Sequence, residues 1–234
     1  MVKALFFDID NTLYSYDKAH TTAMKKLLEF GESEFSLDSG TMCSLLAEAQ
    51  KNLESRLGTN CAAIHNRLIR FQCFLELLKY PDLTKALKMR NIYWDTFLSV
   101  MVPEPGIMDL LSTLYTSHIP MGIGSDQNSH IQYQKLEKLG MLKYFSWIVT
   151  SEEAGAEKPS AEFFRLCVQK AGCKPEECVF IGDNLKKDVE GALENGLQGI
   201  WYHPEPDNLK TCGYMAIYSY TDFIKNGFNG FTSI

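Results

Sequence analysis

The sequence predicts an α/β fold: a doubly wound, Rossmann-like parallel sheet carrying an inserted all-α helical bundle. Three observations predict it. Apolar runs of four to five residues alternate with amphipathic segments of helical period, the signature of parallel strands covered on both faces. One long stretch, 15–102, drops the strand-like runs and reads as helices alone. Several of the strand-like runs also lead into acids, a serine or a lysine, where a buried strand should emerge from the core.

Taken in order, the first run is ALFF, 4–7, and it leads straight into Asp8 and Asp10. The helical stretch follows, with helices predicted over 17–30, 38–57, 61–79 and 82–100. Leucines and aromatics recur three or four apart in GTMCSLLAEAQKNLESRL and IHNRLIRFQCFLELLKY. VPEPG, 102–106, closes the insert and returns the chain to the sheet. The remaining strands are PMGIG (120–124), WIVT (147–150), CVFIG (178–182), QGIWY (198–202) and MAIY (215–218). Between them lie GIMDLLSTLYTS, IQYQKLEKLG and SAEFFRLCVQKAG. Pro159 suits a first helical turn, and Gly172 suits the left-handed residue that ends a helix. The predicted organisation is a core domain over 1–14 and 103–234, with a helical domain over 15–102.

Composition narrows the function classes. With 45% hydrophobic and 22% charged residues in 234, the chain has the make-up of a globular protein with a full core. The net charge is −6 and no Lys/Arg block stands out, so neither a nucleic acid polymer nor an anionic membrane is expected as partner. The seven cysteines are odd in number and lack CxxC spacing, which points to reduced thiols and a cytoplasmic protein; a monomer or homodimer is expected. No apolar run approaches the length of a membrane span, and the N-terminus does not read as a signal peptide.

Parallel strands point their carboxyl ends the same way, so the groups following them should converge. These are Asp8 and Asp10, Ser125 and Asp126, Lys158, Asp183 and Asp188. Asp8 and Asp10 lie two apart, which puts their side chains on one face of an extended backbone. Two neighbouring carboxylates resist joint ionisation, an arrangement that fits a nucleophile beside a proton donor. Four carboxylates and a phosphate dianion would repel by about 4 kcal/mol per unit pair at about 4 Å and an effective dielectric of about 20. Lys158 alone cannot balance that. A divalent cation with oxygen ligands can, and a carboxylate-rich site favours Mg²⁺.

DIDNT, GIGSD, EKPSAEFF and FIGDNLKKD, in that order, resemble the four motifs of the haloacid dehalogenase-like hydrolase superfamily. The resemblance covers the sheet domain, and the insert matches the place of the C1 cap in subfamily I. It implies that Asp8 is the nucleophile that forms an aspartyl-phosphate. Asp10 is then the acid for the leaving alcohol and the base for the attacking water. It further implies that Ser125 and the backbone N–H of Asp126 bind the phosphoryl group, and that Lys158 holds it by charge. Mg²⁺ would be held by Asp8, the Asp10 carbonyl and Asp183, with Asp188 orienting the lysine or a metal-bound water. Asp126 departs from the asparagine common at that position, and its carboxylate is expected to face away from the phosphate.

The implied activity is a Mg²⁺-dependent phosphatase of a small phosphorylated metabolite, such as a nucleoside 5′-monophosphate or a sugar phosphate. A dehalogenase would lack Asp10, since a halide leaves without a proton. A sugar phosphomutase and a non-enzymatic binding protein of the same fold remain alternatives. Tyr14, Tyr16, Lys51, Arg56, His65, Asn66, Arg67 and Arg70 are candidates for substrate contact from the cap.

Overall fold

A computed structural model describes residues 2–204 and 213–225; residues 1, 205–212 and 226–234 of the predicted core domain lie outside the described residues. The chain divides into two compact units, Met1–Ser15 with Val102–Ile234, and Tyr16–Met101. The breaks fall one residue from the predicted 14/15 and 102/103.

Among the described residues, six parallel strands make the sheet: β1 Ala4–Phe7, β2 Met121–Ser125, β3 Trp147–Thr150, β4 Cys178–Gly182, β5 Gln198–Tyr202 and β6 Met215–Ile217. Their order is β3-β2-β1-β4-β5-β6. From β1 the chain builds outward through β2 to β3, then crosses back to place β4, β5 and β6 on the other side. The reversal leaves a crevice at the carboxyl ends of β1 and its two neighbours. Register puts Phe7 opposite Ile123 on one side and Ile181 on the other, so Asp8, Ser125 and Asp183 emerge at about the same height. Strands β1, β2 and β4 are buried along their whole length, which is why they read as unbroken apolar runs rather than alternating ones.

One side of the sheet packs Phe6, Phe163, Phe164, Cys167 and Phe180 into a continuous core. The rings lie directly on β2. A Cβ at Gly122 would stand 2.6 Å from the Phe6 ring, and one at Gly124 2.5 Å from the Phe180 ring. Those glycines are required by close packing, not by turn geometry.

The helical unit consists of α1 Tyr16–Phe35, α2 Ser39–Leu57, α3 Arg67–Leu77 and α4 Thr84–Ser99. Helix α1 packs on α4, α2 on α3, and α3 on α4, around Leu27, Met42, Phe71, Phe74, Met89 and Phe97. Two helices differ from expectation. α1 runs on to Phe35, where Ser36 turns left-handed at φ 55°. The predicted 61–79 helix is broken at Asn66, whose side-chain oxygen accepts from the Leu68 and Ile69 N–H groups and caps α3.

The sheet unit continues with α5 Ile107–Thr116, α6 Ser129–Lys138, α7 Ser151–Ala154, α8 Ala161–Ala171, α9 Gly191–Glu194 and α10 Tyr220–Lys225. Pro159 precedes the first turn of α8 instead of entering it, because Ser160 takes the N-cap and accepts from the Phe163 N–H. Gly172 ends α8 at φ 65°, the conformation that glycine adopts without strain. No helix among the described residues is long and apolar enough to cross a membrane.

Candidate active site

The turn after β1 sets the site. Asp8 donates its backbone N–H to the Ile181 carbonyl, so β1 is still in register with β4 there. Asn11 then adopts φ 56°, a left-handed conformation that asparagine tolerates, and the chain folds back sharply. Leu13 accepts from the Glu104 N–H and Tyr14 bridges to Pro103, which joins the two strands of chain entering and leaving this edge.

Lys158 is the hub. Its ammonium, 4% exposed as a residue, lies 2.9 Å from Asp8 Oδ1, 2.6 Å from Asp188 Oδ1 and 3.2 Å from the Gly124 carbonyl. Burial opposes that charge, but Asp188 and Asp8 outweigh it and hold the lysine well above its ordinary range. The loop that carries Lys158 is held by Asp126, whose Oδ1 accepts the Lys158 backbone N–H at 2.9 Å. Asp126 Oδ2 pairs with Lys187 at 2.8 Å. The Asp126 carboxylate is thus occupied by the Lys158 loop and Lys187, which gives the departure from asparagine a structural use.

Asp188 sits on a π-helical turn, Leu185–Glu190, that follows β4. While one oxygen meets Lys158, Oδ2 accepts the Asn184 N–H at 2.9 Å. Asp183 is fixed by its own backbone: its N–H donates to Thr12 Oγ1 at 3.1 Å and its carbonyl accepts from the Trp201 indole at 2.8 Å. Ser125, 1% exposed, accepts from Gln132 Nε2 at 2.8 Å.

The electrostatics describe a site short of positive charge. Burial, only partly relieved by Lys158 and reinforced by Asp188 and Asp10, pushes Asp8 up to about 6. Burial and the neighbouring Asp8 and Asp188 push Asp183 up to about 8. Oxygens of Asp8, Asp183 and Asp188 all lie within 4.8 Å of one another. Three carboxylates that close, with one lysine among them, form a hard oxygen donor set that fits a small divalent cation.

Asp10 stands apart from that cluster. Its carboxylate meets Lys135 from α6, at 2.6 Å to Oδ1 and 2.8 Å to Oδ2, and Oδ1 also accepts from the Tyr14 hydroxyl. Sequence reasoning missed Lys135 and Gln132. Both lie in IQYQKLEKLG, where polar residues look solvated, yet both are fully buried. The available signal was position: Lys135 falls on the apolar stripe of Ile131, Leu136 and Leu139.

The other named candidates have varied fates. Tyr14 is buried with its hydroxyl on Asp10. Arg67 lies 3.6 Å over the Tyr93 ring and donates to the Tyr16 and Tyr93 hydroxyls. Asn66 caps α3, Arg56 pairs with Glu76 at the surface, and Lys51 is exposed. His65 and Arg70 are partly buried.

Comparison with known proteins agrees with this architecture. The profile of the haloacid dehalogenase-like hydrolases matches residues 2–196. The chain is 30% identical to a ribulose-1,5-bisphosphate 5-phosphatase of Halopiger xanaduensis, over 90% of this chain and 89% of that one. It is 31% identical to a glyceraldehyde 3-phosphate phosphatase of Methanopyrus kandleri, over 89% of each. A pyrimidine 5′-nucleotidase of Streptococcus pneumoniae shares 26% identity over 95% of this chain and 93% of its own. Among solved structures, a 2-haloacid dehalogenase from Pseudomonas syringae superposes with a TM-score of 0.76 at 20% identity, covering 96% of this chain and 97% of that one.

Proposed function

Because the chain belongs to the haloacid dehalogenase-like hydrolases, we propose that it is a Mg²⁺-dependent phosphatase of a small phosphomonoester, acting through an aspartyl-phosphate on Asp8. The observation that carries the reading is the buried meeting of Lys158 with Asp8 and Asp188, beside Asp183, at the ends of β1 and β4. Curated relatives named as phosphatases and nucleotidases support the reaction class.

The Asp8 carboxylate attacks phosphorus while the bond to the leaving oxygen breaks. Asp10 gives that oxygen its proton, then takes one from the water that attacks phosphorus and releases Asp8. Ser125 and the Asp126 N–H orient the phosphoryl oxygens, and Lys158 neutralises charge that grows on them. Mg²⁺, held by Asp8, Asp183 and the Asp10 carbonyl with Asp188 nearby, would supply further charge neutralisation when bound. The presence of Asp10 supports phosphoryl transfer over dehalogenation, since only an alcohol needs the proton. The helical unit takes the role of a cap that selects the substrate.

Hydrolysis of p-nitrophenyl phosphate tests this directly. Activity should require Mg²⁺, fall to background with EDTA and return with added metal. A panel of sugar phosphates and nucleoside 5′-monophosphates then names the substrate. Metal-independent turnover would contradict the proposal, and interconversion of sugar phosphates without release of phosphate would make the protein a phosphomutase.

A further inference from the structure

The Lys135 side chain has no exposed surface, whereas the carboxylate it meets is 26% exposed. A buried ammonium is costly unless it is well paired, and a buried ion pair stabilises a fold no better than apolar side chains of similar size. Position 135 lies in the last turn of α6 beside the buried Ile131 and Leu136, where a leucine or methionine would pack. The lysine is therefore a poor solution for stability alone. Its geometry is unusually restrictive for one ammonium: both Asp10 oxygens are in reach, at 2.6 and 2.8 Å. Tyr14, itself fully buried, donates its hydroxyl to Oδ1, and its ring centroid lies 5.8 Å from the same ammonium. Two buried donors thus fix the torsion of a carboxyl group whose remaining edge is open.

One turn earlier on the same helix, Gln132 donates to Ser125 Oγ. A single face of α6 therefore aims two buried polar side chains at two different residues of the proposed site. We propose that Lys135, seconded by Tyr14, is the positioning residue of Asp10, and holds its carboxyl group in the one orientation that delivers a proton to the leaving oxygen. The inference rests on the phosphatase reading, and specifically on Asp10 as the general acid.

The test uses leaving-group dependence. A p-nitrophenolate departs from phosphorus without a proton, whereas a benzyl alkoxide needs one. kcat/KM covers only the steps up to that departure, so it excludes the later attack of water. For Lys135→Met, kcat/KM on benzyl phosphate should fall about 100-fold or more, the scale of lost general acid catalysis, and on p-nitrophenyl phosphate by less than about 10-fold. Lys135→Arg, which keeps the charge and the donors, should restore part of the ratio. Tyr14→Phe removes one hydroxyl with little change of volume and should shift the ratio the same way by a smaller factor; it also serves if Lys135→Met fails to fold. Equal losses on both esters would assign Lys135 a structural role only and overturn the proposal, as would an unchanged ratio in Tyr14→Phe. A wild-type protein that hydrolyses neither ester would overturn the phosphatase reading along with it, which separates the two failures.

Discussion

Asp126 accepts from the backbone that carries Lys158 and also pairs with Lys187, and the two contacts differ in worth. The Lys158 N–H would lose its acceptor in Asp126→Ala, a cost of about 1–3 kcal/mol for a buried donor left unmade. Asp126→Asn keeps an oxygen for that N–H and loses only the ion pair to Lys187, whose side chain is 40% exposed. Such a pair contributes about 0–1 kcal/mol. Urea unfolding should therefore rank asparagine near wild type and alanine clearly below it; equal destabilisation would mean that the ion pair dominates. At this scale the sequence was legible where a residue follows a strand. Asp8, Ser125, Lys158, Asp183 and Asp188 could be named because they come after strands of a parallel sheet, and the structure joins Lys158 to Asp8 and Asp188 with Asp183 beside them. Lys135 and Gln132 could not, because a long polar side chain on a helix reads as solvent-facing until burial shows otherwise.

The end of β4 shows how an element constrains the site. A Cβ at Gly182 would lie 2.3 Å from Asp188 Oδ2 and 2.4 Å from its Cγ. Gly182→Ala must then displace the carboxylate that holds Lys158 at 2.6 Å. We expect a loss of about 1–3 kcal/mol from overpacking, read from thermal unfolding, together with a fall in kcat/KM of about tenfold or more. Wild-type activity in this variant would show that Asp188 can move without disturbing Lys158. Strands were the legible elements: β1, β3, β4 and β5 match the apolar runs residue for residue, and β2 is displaced by one residue. Helix ends were less so. Apolar periodicity continues through Asn66, so the pattern merges a short 3₁₀ turn, Ala62–His65, with α3, and only the side-chain cap separates them.

At the scale of the molecule, the reversal of strand order at β1 decides where chemistry is possible. It brings groups 171 residues apart, Thr12 and Asp183, into hydrogen-bonding contact, and joins Lys158 to Asp8 across 150 residues. The division into a sheet unit and a helical unit was readable from the change of apolar period alone. Interior contacts of the helical unit, such as Arg67 over Tyr93, were not, because periodicity reports which face is buried and not which groups meet on it. The account stands on Asp8 as the atom donor to phosphorus. Its most direct test is acid quenching of the enzyme during turnover of a ³²P-labelled phosphomonoester, followed by peptide mapping. Label on the peptide that contains Asp8, released by hydroxylamine and absent from Asp8→Asn, is the predicted result. Turnover that continues in Asp8→Asn, or that leaves no label on that peptide at any quench time, would contradict it.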